Sequence, residues 1–297
     1  MKTLREALRS EELTLTAELT LSPQQNPVSM IEQARVLAAV TDAIQIPDHR
    51  SARPHISNIA AAALLLQNDI DPVIQMNCRD RNHVALQSDV LGAQALGANN
   101  LLLLRGSNLP EDHPLHSTSV FDVRTIDLIA TAAAIRDGDA FADSKLPGTP
   151  DLYLGTVATA FNPADGWEPE KLTSKADAGA QFIQLQLCFD MDLLRAYMAR
   201  IISSKLTWRF QLLVGLAVLP SADAARKLRK VRPDSIIPAT VVKRLEQAAD
   251  PEAEGVQIGA ELLQEIVDIP GLAGVALVTP GEPESIPAAI HASGLRE

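Results

Sequence analysis

Leu13-Thr14-Leu15-Thr16-Ala17-Glu18-Leu19 places Leu13, Leu15, Ala17 and Leu19 at odd positions and Thr14, Thr16 and Glu18 at even ones. Side chains along a strand alternate between its two faces, so one face is apolar and the other ends in a carboxylate. The pattern recurs. In residues 43–46, Ile44 and Ile46 oppose Gln45; in 72–77, Ile74 and Met76 oppose Val73, Gln75 and Asn77; in 182–187, Ile183, Leu185 and Leu187 oppose Gln184 and Gln186. Several strands thus send an acid or amides to one shared side. An unpaired buried amide or acid costs on the order of 1 to 3 kcal/mol, so such a cluster suits a polar ligand rich in hydrogen-bonding edges.

Outward from that stretch, strand-like runs occupy 13–19, 43–46, 72–77, 100–104, 152–157, 182–187, 209–214 and 274–278. Helical patterns lie between them at 28–40, 55–68, 82–96, 123–135, 169–178, 191–203 and 222–231, with further helices to 267. Eight strands alternating with helices predict an α/β fold, a single (β/α)8 barrel over residues 1–297. A doubly wound open sheet competes. It is disfavoured because no Gly-x-Gly-x-x-Gly follows the first strand, and because a closed barrel gathers polar residues from distant strands at its C-terminal mouth. The segment 105–151, with Pro110, Pro114, Pro147 and Pro150, flanks one helix with two irregular loops of the length that often serves function.

Composition narrows the partners. The chain has 297 residues, 46% hydrophobic and 21% charged, enough for a large core. With 26 basic against 37 acidic residues its net charge is −11, and no basic stripe stands out, which argues against nucleic acid. No apolar run reaches membrane-spanning length, and residues 1–11 are charged rather than leader-like, so the expectation is a cytoplasmic protein without a membrane partner. Cys78 and Cys188 read as reduced, buried thiols. The six histidines show no ligand spacing, and no structural metal is expected.

Each candidate site residue has two readings. Glu18 is a general acid in a desolvated setting, or a structural acid paired with a barrel-lining Arg or amide. Gln45, Gln75, Asn77, Gln184 and Gln186 bind the edge of a heteroaromatic ring, or satisfy one another inside the barrel. The segment Cys78-Arg79-Asp80-Arg81-Asn82 either contributes to chemistry or is a knot of ion pairs with Asp80 or Asn82 capping the next helix. Leu104-Arg105-Gly106-Ser107 offers an Arg and a small-residue turn to a phosphate, or is a surface Arg beside a tight turn. Lys175 reaches an anion near the sixth strand, or is an exposed helical lysine.

Together these segments resemble the methylenetetrahydrofolate reductase family. The likeness is carried by Ala17-Glu18-Leu19, Asn77-Cys78-Arg79-Asp80-Arg81-Asn82, Leu91-Gly92-Ala93 through Leu104-Arg105-Gly106, Lys175-Ala176-Asp177-Ala178-Gly179-Ala180, Gln184-Leu185-Gln186-Leu187-Cys188-Phe189-Asp190, Ile237-Pro238 and 274–280. It runs in order through nearly the whole chain.

The resemblance implies an FAD-bearing barrel that passes hydride from NADH or NADPH to 5,10-methylenetetrahydrofolate, giving 5-methyltetrahydrofolate, or runs in reverse in one-carbon catabolism. It makes Glu18 the acid that assists opening of the five-membered ring, and Gln186, with Gln184 and Ser107, the folate contacts. It makes Gln75, Asn77, Arg105, Gly106, Ser107, Val120, Phe121, Asn162 and Lys175 the cofactor contacts. The flavin would supply hydride, and the protein position and a proton. This chain departs from the family pattern at Ser107, where an Asp usually follows the Arg-Gly pair, and at Pro47, where Thr is common. The loss of that carboxylate bears on flavin potential and on folate binding, and leaves open a flavin-free enzyme with direct nicotinamide-to-folate transfer. A non-catalytic folate-binding paralogue, a partner subunit and a homo-oligomer remain further alternatives.

Overall fold

The computed structural model describes residues 3–49, 52–109, 112–139 and 144–296. Strands β1 (Thr14–Glu18), β2 (Ala43–Ile46), β3 (Pro72–Asn77), β4 (Asn100–Leu104), β5 (Tyr153–Ala158), β6 (Phe182–Leu187), β7 (Gln211–Ala217) and β8 (Gly274–Val278) are parallel and close in chain order. β8 pairs back onto β1. Around them run α1 (Leu4–Ala7), α2 (Pro27–Ala38), α3 (Asn58–Leu66), α4 (His83–Leu96), α5 (Thr125–Arg136), α6 (Glu170–Asp177), α7 (Met191–Ser203), α8 (Ala222–Val231), α9 (Ala239–Gln247), α10 (Pro251–Val267) and α11 (Ser285–Ser293). The fold is the (β/α)8 barrel that the alternation predicts.

Local chemistry sets the helix boundaries. Asn26 caps α2 through the Ser29 amide, with Pro27 in the first turn where its missing N–H is harmless. Asn82, rather than Asp80, caps α4 through the Ala85 amide, and Gly97 at φ +80° ends it. Asp190 and Asp250 cap α7 and α10 in the same way.

The strands bury both faces. Outward residues such as Leu15, Ile44, Ile74, Leu101, Ile183, Val214 and Leu277 pack under the helices. Inward residues Ala43, Val73, Leu102, Tyr153, Phe182 and Leu213 form a separate apolar layer low in the barrel, joined by Leu4 and Leu8 from the α1 segment. Tyr153 and Phe182 stack there at 5.1 Å, and Gly155 must lack a side chain because a Cβ would lie 2.1 Å from the Phe182 ring. The Thr3–Glu6 capping box, the Leu4 amide bonded to Asp71 and Arg5 lying over the Tyr153 ring fasten α1 as a plug across the N-terminal end.

At the opposite end the chain after α8 folds over the mouth. Pro233 disfavours helical geometry at the residue before it, and Arg232 adopts φ −127°, ψ 77°. Beyond it the Ile236 amide bonds the Leu187 carbonyl at 2.7 Å, and the Ile236 carbonyl accepts from Phe189 at 2.8 Å. Residues 232–237 are thereby strapped to the end of β6.

Candidate active site

Above the apolar layer the inward side chains become polar. Strand parity brings Thr16 and Glu18 of β1, Gln45 of β2, Gln75 of β3 and Gln184 of β6 into one barrel interior, and a single bond between Gln45 and Gln184 spans 139 residues of sequence. Gln45 Nε2 donates to Thr16 Oγ1 at 2.8 Å and, across the barrel, to Gln184 Oε1 at 2.9 Å. Gln75 Nε2 donates to Glu18 Oε2 at 2.8 Å and to Gln45 Oε1 at 3.2 Å. Glu18 is buried, and its other oxygen lies 3.4 Å from an Arg232 guanidinium nitrogen. The amides thus satisfy one another, and the acid has its amide and its Arg, as the structural reading of each residue expects.

The network nevertheless has unused ends. Among the described residues, Gln75 Oε1, Gln184 Nε2 and the whole carboxamide of Gln186 have no hydrogen bond to the protein. Gln186 sits on a register shift of β6: Leu185 pairs with Val214 and Leu187 with Gly215, leaving Gln186 without a partner residue. Gly215 permits this bulge, since a Cβ there would come within 3.0 Å of the Leu185 carbonyl and 3.1 Å of the Gln186 backbone. Glu18 and Gln186 end strands on the same side of the fold, so an acid, an acceptor and two amide donors face one mouth.

Asn77 belongs elsewhere. Its side chain donates to Asp48 Oδ2 at 2.7 Å and to Asp80 at 3.1 Å, and its oxygen accepts from the Arg79 amide at 2.9 Å. Arg79 clasps Asp80 through two nitrogens at 2.6 and 2.7 Å, while Arg81 bridges Asp48 and Asp89. These ion pairs hold the Asp80 carboxyl below its usual range despite partial burial. Burial raises Asp48 to about 6 in spite of Arg81. The segment from Arg79 to Arg81 is thus an ion-pair knot, and Asn77 is its centre.

The other residues assigned to a cofactor divide into two groups. On the β4 side, the exposed Arg105 lies with its guanidinium 4.2 Å from the Phe121 ring centre. Val120 and Phe121 are fixed by backbone bonds to Arg79 and Cys78, and Phe121 has φ +42°. Gly106, at φ +81°, packs so closely that a Cβ would meet Arg79 and Asn77 at 3.0 and 3.2 Å. On the β5 side, Lys175 donates to the Val157 carbonyl at 2.5 Å, and burial lowers its ammonium from the ordinary lysine value. Leu103 pairs with Thr156, so Arg105, just past the end of β4, and the Val157 carbonyl that Lys175 reaches from α6 belong to neighbouring strands. Ser107 and Asn162 are exposed, with no hydrogen bond among the described residues. Cys78 and Cys188 are buried thiols, each pushed to about 11 by burial.

Sequence reasoning missed Arg232 and Asp48. The only signals were an Arg-Pro step after an amphipathic helix and an acid just past the second strand.

The methylenetetrahydrofolate reductase family model matches residues 3–291. A search of curated proteins finds no match. That span takes in the whole closed barrel, and the chain belongs to the methylenetetrahydrofolate reductase family.

Proposed function

We propose that the chain transfers hydride between a nicotinamide nucleotide and the one-carbon unit of 5,10-methylenetetrahydrofolate at the barrel mouth, with Glu18 moving the proton. The observation that carries this reading is the chain Gln184–Gln45–Gln75–Glu18, whose inner bonds fix every member while Gln75 Oε1 and Gln184 Nε2 stay available. A pterin edge alternates N–H donors with carbonyl and ring-nitrogen acceptors, and an amide array of that polarity complements it. Gln186, freed from strand pairing by the bulge, adds a donor and an acceptor. Glu18, buried beside this array, is placed to protonate the folate nitrogen N10 as the five-membered ring opens.

The residues present fit a dinucleotide. Arg105, just past β4, and Lys175, which reaches the neighbouring β5 from α6, are cations of a protein with net charge −11 that suit phosphates, and the Phe121 ring beneath Arg105 adds an apolar face. FAD, the cofactor that the family likeness implies, would be held there by Arg105, Phe121, Lys175 and Gln75. When bound, it would supply a two-electron carrier between nicotinamide and folate. Asn77 and Gly106 support this cradle through the knot rather than by contact.

A flavin-free route is favoured by one specific feature. Ser107 is exposed and carries no charge where a carboxylate would act on a flavin. An absorbance spectrum of purified protein between about 350 and 500 nm, before and after adding FAD, separates the routes. A flavin spectrum selects the relay; a colourless preparation that oxidises NADH or NADPH with methylenetetrahydrofolate selects direct transfer. Glu18→Gln is expected to lower folate turnover about 100-fold or more, in line with loss of a general acid. Wild-type turnover in that variant would remove Glu18 from the chemistry.

A further inference from the structure

Arg232 is the charged group that family likeness and strand pattern leave unexplained. It comes from the segment after α8, 214 residues from Glu18 in sequence, and one guanidinium nitrogen lies 3.4 Å from Glu18 Oε1. The side chain is mostly buried, unlike Arg226, Lys227, Arg229 and Lys230 of α8, which are exposed on the outside. Its position is held twice: Pro233 ends the helix at Arg232, and Ile236 ties the strap to Leu187 and Phe189. Burial brings the guanidinium down to about 10, which leaves it cationic at neutral pH.

Among the described residues, Arg232 and Gln75 bond the Glu18 carboxylate, and of these two only Arg232 is charged. Gln75 of β3 bonds its second oxygen, Gln45 and Thr16 lie below, and Ala276 of the adjoining β8 pairs with Thr16. The nearby acids at the ends of β2 and β3 are paired within the knot, Asp48 to Arg81 and Asp80 to Arg79; Asp234 on the strap is exposed.

We infer that Arg232 is a positioning residue that holds Glu18 as a carboxylate, ready to accept the N10 proton when the five-membered ring closes. This rests on the proposed role of Glu18. In that direction hydride leaves the N5 methyl group of 5-methyltetrahydrofolate for the oxidised nicotinamide nucleotide, directly or by the cofactor. The methyl carbon becomes an N5 iminium, the N10 lone pair forms the new N10–carbon bond, and the N10 proton passes to Glu18. Reduction reverses each movement and needs Glu18 protonated first. A cation beside a carboxylate stabilises its ionised form. Arg232 therefore lowers the pH at which the two directions exchange dominance: oxidation requires the carboxylate and persists at higher pH, reduction requires the acid and fades as pH rises.

The test is the pH profile of kcat/KM in both directions for the wild type, Arg232→Gln, Arg232→Lys and Glu18→Gln. Removing the charge in Arg232→Gln is expected to move the shared limb up by about 1 to 3 pH units, the size of shift that an adjacent opposite charge produces. Reduction then extends to higher pH and oxidation begins later; Arg232→Lys keeps the wild-type limb. A residue that merely stabilised the fold would lower both rates without moving the limb, and that result overturns the inference. If Arg232→Gln does not fold, infrared difference spectra of wild type against Glu18→Gln decide on the native chain. A carboxylate band for Glu18 at neutral pH supports the inference, and a protonated acid band overturns it. Full folate turnover in Glu18→Gln would instead defeat the reading of Glu18 itself.

Discussion

Asp48 stands just past the end of β2 with unequal oxygens. Oδ2 accepts from the Asn77 amide and side chain and from Arg81, while Oδ1 is buried with no hydrogen-bond partner among the described residues. Burial raises this carboxyl from 3.8 to about 6, so between those values the folded chain keeps a proton that the unfolded chain has released. The stabilisation is complete below about pH 4 and is lost as pH rises to about 6. Relative to Asp48→Asn, the wild type should lose on the order of 3 kcal/mol of unfolding free energy across that interval. Urea midpoints at pH 4 and 6.5 measure it, and parallel changes in both proteins would place the titration elsewhere. At this scale sequence reading reached Glu18 and the glutamines, because alternation along a strand fixes which way each points. It did not reach Arg232, whose place depends on a helix end and a strap that no short-range pattern encodes.

Among the elements, β6 depends most on a neighbour for its function. The bulge at Gln186 survives because β7 offers Gly215 opposite it. Gly215→Ala would press a methyl group within 3.0 Å of the Leu185 carbonyl, and the bulge must shift to receive it. Losing one amide contact weakens folate binding by about 1 kcal/mol, about fivefold in Kd, with nicotinamide affinity retained. Titration calorimetry with each ligand checks this, and unchanged folate affinity would detach Gln186 from the substrate. The runs read at 43–46, 72–77, 100–104, 182–187 and 274–278 coincide with β2, β3, β4, β6 and β8, since period-two polarity bounded by turn residues defines such short strands well. The helices α1 and α11 escaped. Four residues give α1 too little periodicity, and its burial is decided by the open end of the barrel beneath which it lies. The bulge escaped too, because it arises between strands rather than within one.

Over the whole molecule, the barrel is closed by different chemistry at its two ends. Leu4 and Leu8 seal the bottom against Tyr153 and Phe182, and the polar array roofs the apolar layer from above. Leu8→Ala removes a side chain that is 2% exposed and leaves a cavity, at a cost of about 2 to 5 kcal/mol, or roughly 5 to 15 °C in Tm. Because the plug lies opposite the mouth, kcat at 25 °C should stay at the wild-type value; a loss of kcat without a fall in Tm would couple the two ends. The overall architecture was readable from the order of eight strands and the helices between them, whereas the sealed floor was not, since it needs the closed ring to bring its layer together. The hydrogen bond from Gln45 to Gln184 joins β2 to β6, staves on opposite sides of that ring. Such a crossbar fixes the width of the opening and stops any ring system at its own height, so a planar substrate rests on top as on a grate, and discrimination falls to its perimeter rather than to depth.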